Sequence, residues 1–373
     1  MSDQLRRLAR LPLRDNLRGL EPYGAPQLDV PILLNVNENT HPLPDEVREA
    51  IARDVRACAA GLNRYPDREF TELRERLASY LGHGLAPGNI WAGNGSNEVL
   101  QQILQAFGGP GRSLMSFPPT YSMYPLLASG TDTTYISGSR AGDFELTAES
   151  AARQVAERAP NIVFLCSPNN PTGTALGLDV VEAVYAAGEA TQAIVVVDEA
   201  YAEFATAGTR SALGLLPGRE RLIVSRTMSK AFALAGARLG YLAADPSVAD
   251  ALRLVRLPYH LSAVTQATAN AALKHVDALL ANVEDIKAQR DRIVAELRRL
   301  GLRPAPSDSN FVFFGGLSHP GRIWQGLLDA GVLVRDVGIP GHLRVTAGTE
   351  AETTAFLRGL EDLLAAERDP APR

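Results

Sequence analysis

Cysteine is nearly absent from the chain. Cys58 and Cys166 are the two thiols in 373 residues, and they lie far apart. A disulfide framework and a cysteine-built zinc centre are thereby excluded, and a reducing compartment is expected. Histidine is also scarce: the six stand at 41, 83, 260, 275, 319 and 342, with no H-x-x-x-H pair to favour a metal hydrolase. Long apolar runs are missing. The clean ones are as short as 193–197, against the roughly 20 residues of a membrane span, so no membrane partner is expected. Arg6, Arg7 and Arg10 are followed by no apolar stretch, so no secretory signal is expected and the expected address is the cytoplasm. An excess of positive charge is lacking too. The 37 Lys and Arg against 42 Asp and Glu leave a net charge of −5, which argues against nucleic acid as a partner. What remains is an ordinary globular composition, 46% hydrophobic and 21% charged, long enough for two or three domains.

From about residue 45 helices and strands alternate. Helical periodicity marks 45–60 and 68–81. Ser96 is placed to cap a helix that Gly108-Gly109-Pro110-Gly111 stops. Short apolar runs at 113–117, 133–136, 161–166, 193–197, 221–225 and 239–243 read as strands, most of them separated by helices. This is the pattern of an α/β protein with a mostly parallel sheet flanked by helices. Three of these runs pass directly into polar or glycine-rich loops, at 166–173, 198–201 and 225–230. Open α/β sheets bind ligands at the carboxyl ends of their strands, so the three loops are expected to share one crevice. Beyond Pro258 the texture changes. A helix-forming stretch at 263–300 precedes a strand at 310–314, a helix at 322–330, strands at 332–335 and 342–346, and a helix at 350–365. The expected division is an arm over 1–40, a large domain over 41–258 and a smaller α+β domain over 259–373. The arm is basic, with Arg14 and Arg18 added to the earlier three, and is expected either to lie solvated or to pack with the small domain and a partner subunit. The segment from Glu367 reads as a frayed tail.

Common nucleotide motifs fail. No G-x-x-x-x-G-K-[ST] loop exists, and Gly93-Asn-Gly95-Ser-Asn-Glu98 has a glutamate where a dinucleotide loop needs its third glycine. Lys230 stands out instead, in a polar loop after a strand. A lone lysine is usually a solvated charge, but Thr227 and Ser229 add hydroxyls here and Arg238 a fork-shaped cation, a set that suits a phosphate monoester. A lysine beside a phosphate anchor points to a Schiff base with pyridoxal 5′-phosphate. That cofactor makes further demands. Its pyridine nitrogen wants a carboxylate, and Asp198 ends an Ile-Val-Val-Val strand, although a strand-end turn aspartate is the plainer reading. The ring oxygen wants donors, offered by Asn170 and Tyr201. The phosphate wants a helix N-terminus, offered by Gly95-Ser96-Asn97. The ring wants a flat partner, Tyr121, and a substrate anion wants an arginine, Arg344.

Those residues, with Leu20-Glu-Pro-Tyr-Gly24, Leu34-Asn-Val-Asn-Glu-Asn39, Arg64-Tyr-Pro-Asp67, Ser167-Pro-Asn-Asn-Pro-Thr-Gly173, Asp198-Glu-Ala-Tyr201, Ser229-Lys-Ala-Phe-Ala-Leu-Ala-Gly236, Leu333-Val-Arg-Asp336 and Leu343-Arg-Val-Thr346, resemble the fold-type I aminotransferases, and within them the histidinol-phosphate aminotransferase family. The resemblance implies a ping-pong exchange between L-histidinol phosphate and 2-oxoglutarate, giving imidazole acetol phosphate and glutamate, with the reverse direction serving histidine biosynthesis. It implies that Lys230 is the Schiff-base lysine and proton shuttle, Asp198 the pyridinium partner, and Asn170 and Tyr201 the ring-oxygen ligands. Tyr121 would be the stacking ring, and Ser96, Asn97, Thr227, Ser229 and Arg238 the phosphate cup. Tyr65 would reach the cofactor phosphate of the other subunit, which implies a homodimer with shared active sites. Arg344, Arg335 and Tyr23 would hold the substrate anion, with Asn37 near the pocket. Two residues depart from the family pattern: Thr40 stands where proline is common and Asn97 where aspartate is. A phenylalanine or tyrosine transaminase on the same scaffold, a decarboxylase of a phosphorylated amino acid, and a non-catalytic regulatory module are the alternative readings.

Overall fold

The structure, a computed structural model, describes residues 7–8, 10–19, 24 and 26–368. Its framework is a seven-stranded sheet. The spatial order is Ile90–Gly93, Gly240–Ala244, Leu222–Thr227, Ile194–Asp198, Ile162–Cys166, Ser113–Ser116 and Thr134–Ser137. Gly240–Ala244 runs antiparallel to both neighbours, and the remaining pairings are parallel. The expected α/β architecture is what forms. Ile162–Cys166, Ile194–Asp198 and Leu222–Thr227 are buried at every position. Successive side chains point to opposite faces, so both faces are covered, and these strands read as continuous apolar runs rather than as alternation.

One strand was not legible. Ile90–Gly93 is four residues long, too short to show a period. It is fixed by Trp91, whose Nε1 donates to Gln102 Oε1 at 2.7 Å and whose ring stacks on His260. The strand delivers Gly93-Asn-Gly95 to the helix Ser96–Phe107. Gly95, not Ser96, is the residue before that helix. It sits at φ 85° with no side-chain cap, so Ser96 is already helical and its hydroxyl is not the cap.

The C-terminal part builds a three-stranded antiparallel sheet in the order Leu343–Thr346, Phe311–Gly315, Arg303–Pro304. The stretch 263–300 breaks at His275 into helices Ala263–Leu273 and Val276–Arg299. The strand expected at 332–335 shortens to Val332–Leu333, which pairs in parallel with Ile32–Leu33 from the N-terminal region. Arg335 then makes a separate antiparallel bridge to Arg344.

Another part of the first forty residues goes elsewhere. Arg14 Nη2 donates to Gly130 O at 2.9 Å and Asn16 Nδ2 to Ser129 O at 3.0 Å. These carbonyls end the helix Met123–Gly130, where the helix dipole is negative and favours the Arg14 cation. The last helix, Glu350–Arg368, runs past its expected end into the stretch read as a frayed tail. No helix among the described residues is long and apolar enough to cross a membrane.

Candidate active site

Strand register builds the floor of the site. Cys166 pairs with Asp198, and Asp198 with Ser225. The three loops that follow therefore open side by side at the carboxyl end of the sheet. The loop after Ser113–Ser116 is tied to its neighbour: Thr120 Oγ1 donates to Asn169 Oδ1 at 2.9 Å, and Asn169 Nδ2 donates to Pro119 O at 3.0 Å. Above them lies a cleft of about 390 Å³, lined from the large sheet, the small sheet and residues 35–38.

Asp198 lies at its base. Oδ2 accepts the Tyr124 hydroxyl at 2.9 Å, whereas Oδ1 is buried and has no partner. Burial pushes this carboxyl up from 3.8 to about 6, against the Tyr124 hydrogen bond that favours its charged form. A buried carboxylate with one bare oxygen on a cleft wall fits a cationic N–H, which a protonated pyridine ring presents. Lys230 lines the same cleft and donates from Nζ to Val36 O at 3.0 Å. Burial, reinforced by the Arg344 and Arg238 cations, pushes its amine down from 10.5 to about 8, with Glu38 opposing. A large fraction of Nζ is thus neutral in weakly basic solution.

On one side the first turn of the helix Ser96–Phe107 brings Ser96 and Asn97 to the cleft, and Thr227 and Ser229 face them. Thr227 Oγ1 accepts the Ser229 amide at 3.1 Å and lies 3.0 Å from the Ser229 hydroxyl. Arg238, at φ 57°, lays its guanidinium over Gly95, where a Cβ would stand 2.5 Å from Nη2. This group of hydroxyls, helix-end amides and one arginine fits a phosphate monoester. Gly240 makes it possible, since a Cβ there would sit 2.1 Å from the Ser96 amide nitrogen. Neither backbone can yield without moving the helix start. Gly240→Ala is expected to destabilise the protein by roughly 2–3 kcal/mol and to weaken phosphate binding at the cup. Thermal melting and cofactor titration check this.

On the other side a hydrogen-bonded chain crosses between the sheets. Arg344 donates from Nη1 to Asn170 Oδ1 at 2.6 Å and from Nη2 to Asn35 O at 2.7 Å. Tyr201 Oη accepts from Asn170 Nδ2 at 3.3 Å and from Asn37 Nδ2 at 3.0 Å. Asn37 sits at φ 58°, a conformation asparagine tolerates, and its amide donates to Thr346 Oγ1 at 3.1 Å. Arg335 also lines the cleft, beside Arg344 through their backbone bridge. Tyr121 donates to Asn97 Oδ1 at 3.2 Å, so the asparagine that departs from the family pattern orients this ring. The hydroxyl of the other departure, Thr40, is buried without a partner, and nothing in the structure explains it.

One expected residue is not in this cleft. Tyr65 is 79% exposed and stacks on Tyr259 with ring centres 4.3 Å apart. Tyr23 lies outside the described residues. Tyr124, Asn169 and the carbonyls of Asn35 and Val36 were missed by sequence reasoning. Tyr124 sits in Met-Tyr-Pro-Leu-Leu and reads there as core; its one signal is its place three residues after Tyr121.

Residues 29–360 match the family described as aminotransferase class I and II. A histidinol-phosphate aminotransferase of Paenarthrobacter aurescens is 79% identical over 364 residues, which is 98% of each chain. Another, from Frankia casuarinae, is 60% identical over 94% of this chain and 89% of its own. The crystal structure of histidinol-phosphate aminotransferase from Sinorhizobium meliloti in complex with pyridoxal-5′-phosphate superposes with a TM-score of 0.85 at 26% identity, over 95% of this chain and 98% of that one.

Proposed function

The chain belongs to the class I and II aminotransferases, and from that premise we propose that it binds pyridoxal 5′-phosphate at Lys230 and exchanges an amino group between L-histidinol phosphate and 2-oxoglutarate, the reverse direction serving histidine biosynthesis. The observation that carries the reading is that one cleft holds both a lysine beside a buried, half-satisfied carboxylate and two arginines on adjoining backbone. The first pair suits the cofactor. The arginines suit an anionic substrate, and the names of the relatives supply its identity.

When bound, the cofactor supplies an electron sink that lets the substrate's α C–H bond break heterolytically. The chain's own residues do the rest. Asp198 Oδ1 holds a proton on the ring nitrogen. Tyr201 has both lone pairs engaged by Asn37 and Asn170, so its remaining capacity is to donate, toward the ring oxygen. Burial pushes that phenol up to about 12, which keeps the proton in place. Lys230 Nζ, partly neutral, would take the proton from the substrate α carbon and deliver it to the cofactor carbon on the far side of the bridging nitrogen. Arg344 and Arg335 together match a phosphate dianion, and the same pair accepts the singly charged α-carboxylate of glutamate. One anion site serving two substrates requires that they enter in turn, hence the ping-pong order.

Tyr65 belongs to the same reading. Its exposure, and its position outside the cleft of its own chain, support a homodimer in which it reaches the partner's cofactor phosphate. A cytoplasmic address, with no membrane or nucleic-acid partner, goes with it.

The test loads the protein with cofactor and adds histidinol phosphate, glutamate or phenylalanine separately. Histidinol phosphate and glutamate should each bleach the visible cofactor band rapidly, with phenylalanine far slower. Light scattering should report twice the 40.0 kDa chain mass. Rapid bleaching by phenylalanine with none by histidinol phosphate would move the enzyme to aromatic amino acids, and a single-chain mass would remove Tyr65 from the site.

A further inference from the structure

Asp198 is held from below by a residue that the cofactor assignment does not use. Tyr124, on the helix Met123–Gly130, is fully buried. Its hydroxyl donates to Asp198 Oδ2 at 2.9 Å. Its ring meets Tyr121 edge-on, with centres 5.5 Å apart at 89°, and Phe164 edge-on at 5.1 Å. One side chain therefore touches both the carboxylate assigned to the ring nitrogen and the aromatic assigned to the ring face. Packing on two sides fixes where its hydroxyl points.

We propose that Tyr124 is a positioning residue for transamination: its hydroxyl occupies Asp198 Oδ2, so that Oδ1 alone faces the cleft, ionised and ready for the N–H of the cofactor ring. The proposal rests on the role given to Asp198 above. Its logic is that of a buried acceptor. An ionised carboxylate has only acceptor sites, and one left bare in an apolar interior takes up a proton instead. A neutral donor favours the charged form without cancelling its charge. An arginine in the same place would pair with the carboxylate and compete with the ring cation.

Around Asp198 the backbone amide of Ala200 also favours the charged form, and Tyr124 is the one side chain that does so by a hydrogen bond. From the neighbouring strand comes Cys166, whose thiol burial pushes up to about 12. Along the chain come the Ala200 amide, Tyr201 and Glu199. Glu199 is turned to Arg226, which donates from Nε at 3.0 Å, and to the Ser211 hydroxyl at 2.7 Å. None of these side chains brings a positive charge to Asp198, and among the described residues Tyr124 makes its one side-chain hydrogen bond.

The test titrates the cofactor-free protein with pyridoxal 5′-phosphate between pH 5 and pH 8.5, comparing wild type with Tyr124→Phe. The cofactor's own ionisations are common to both proteins, so the ratio of the two dissociation constants isolates the protein. Without the hydroxyl, Asp198 keeps its proton to a pH about one unit higher. Binding to the variant should then be about tenfold weaker at pH 5, and the difference should vanish by pH 8.5. In an Asp198→Asn background the same substitution should give a ratio that does not vary with pH. A ratio that is constant across the range in the Asp198 protein, however large, would mean that Tyr124 only fills space, and would overturn the proposal. Tyr124→Met, which fills the volume without a donor, gives the same readout if the phenylalanine variant does not fold. Unfolding of both would also overturn it. Wild-type protein that binds no cofactor at any pH would instead remove the proposed function, so the two failures are distinct.

Discussion

Lys230→Ala is expected to slow amino transfer from either substrate by on the order of ten-thousand-fold, read as the single-turnover rate of cofactor conversion. Among the described residues lining the cleft, Lys230 is the one amine, and no imidazole stands beside it to take over the proton. Arg238, Arg335 and Arg344 do not deprotonate in proteins. Asp198 lies at the base with one oxygen already held by Tyr124, and Tyr201 is kept protonated by burial. The loss should be chemical rather than structural. Lys230 has a folded value near 8 against 10.5 for a free amine, so its charged form is disfavoured by folding. That cost is fully present below pH 8 and gone above pH 10.5. Removing the amine at pH 7 therefore relieves a cost, and the variant should melt no lower than wild type. Amino transfer by this variant at the wild-type rate would end the assignment.

Asp198→Asn is expected to move two quantities in opposite directions. The rate should fall by about a hundred- to a thousandfold, because a neutral amide cannot hold the ring proton through the reaction. The cofactor-free protein should become more stable. The folded value of this carboxyl is about 6 against 3.8 unfolded, a difference worth about 3 kcal/mol at most. For an acid raised on folding, the stability is greatest below the unfolded value and declines as pH rises through the folded one. At neutral pH the full cost of a buried charge is present. Asparagine removes that charge while its carbonyl still accepts from Tyr124, so melting should rise by a few degrees. Cofactor binding should reverse the order, since the ring cation repays the carboxylate. A variant at full rate would exclude the pyridinium role, and one that melts lower without cofactor would show that the carboxylate is not held at a cost.

The parts of the site that were legible in the sequence have a common property. Lys230, Asp198 and Asn170 each follow an apolar strand, and parallel α/β order puts strand ends together. Gly95 and the hydroxyls of Thr227 and Ser229 belong to short local motifs whose chemistry does not depend on distant residues. The parts that were not legible depend on contacts far along the chain. Tyr124 meets Asp198 across 74 residues, and the bond between Arg344 and Asn170, two residues each legible alone, spans 174. Asn35 and Val36 contribute carbonyls, which every residue possesses. Gly240 is decisive only because the antiparallel strand Gly240–Ala244 lies against the start of the helix Ser96–Phe107.

The sequence by itself determined which chemistry was available, because side-chain type and short-range spacing decide what can bind phosphate, pair with a ring cation or move a proton. It also determined that a parallel sheet would form, because runs buried on both faces must be apolar throughout. Only the tertiary structure decided the protonation of those groups. It set Asp198 near 6 and Lys230 near 8 by withdrawing water from both, left one oxygen of Asp198 bare and gave the other to Tyr124. Burial and long-range partners are sums over the whole fold, and no local stretch of sequence contains them.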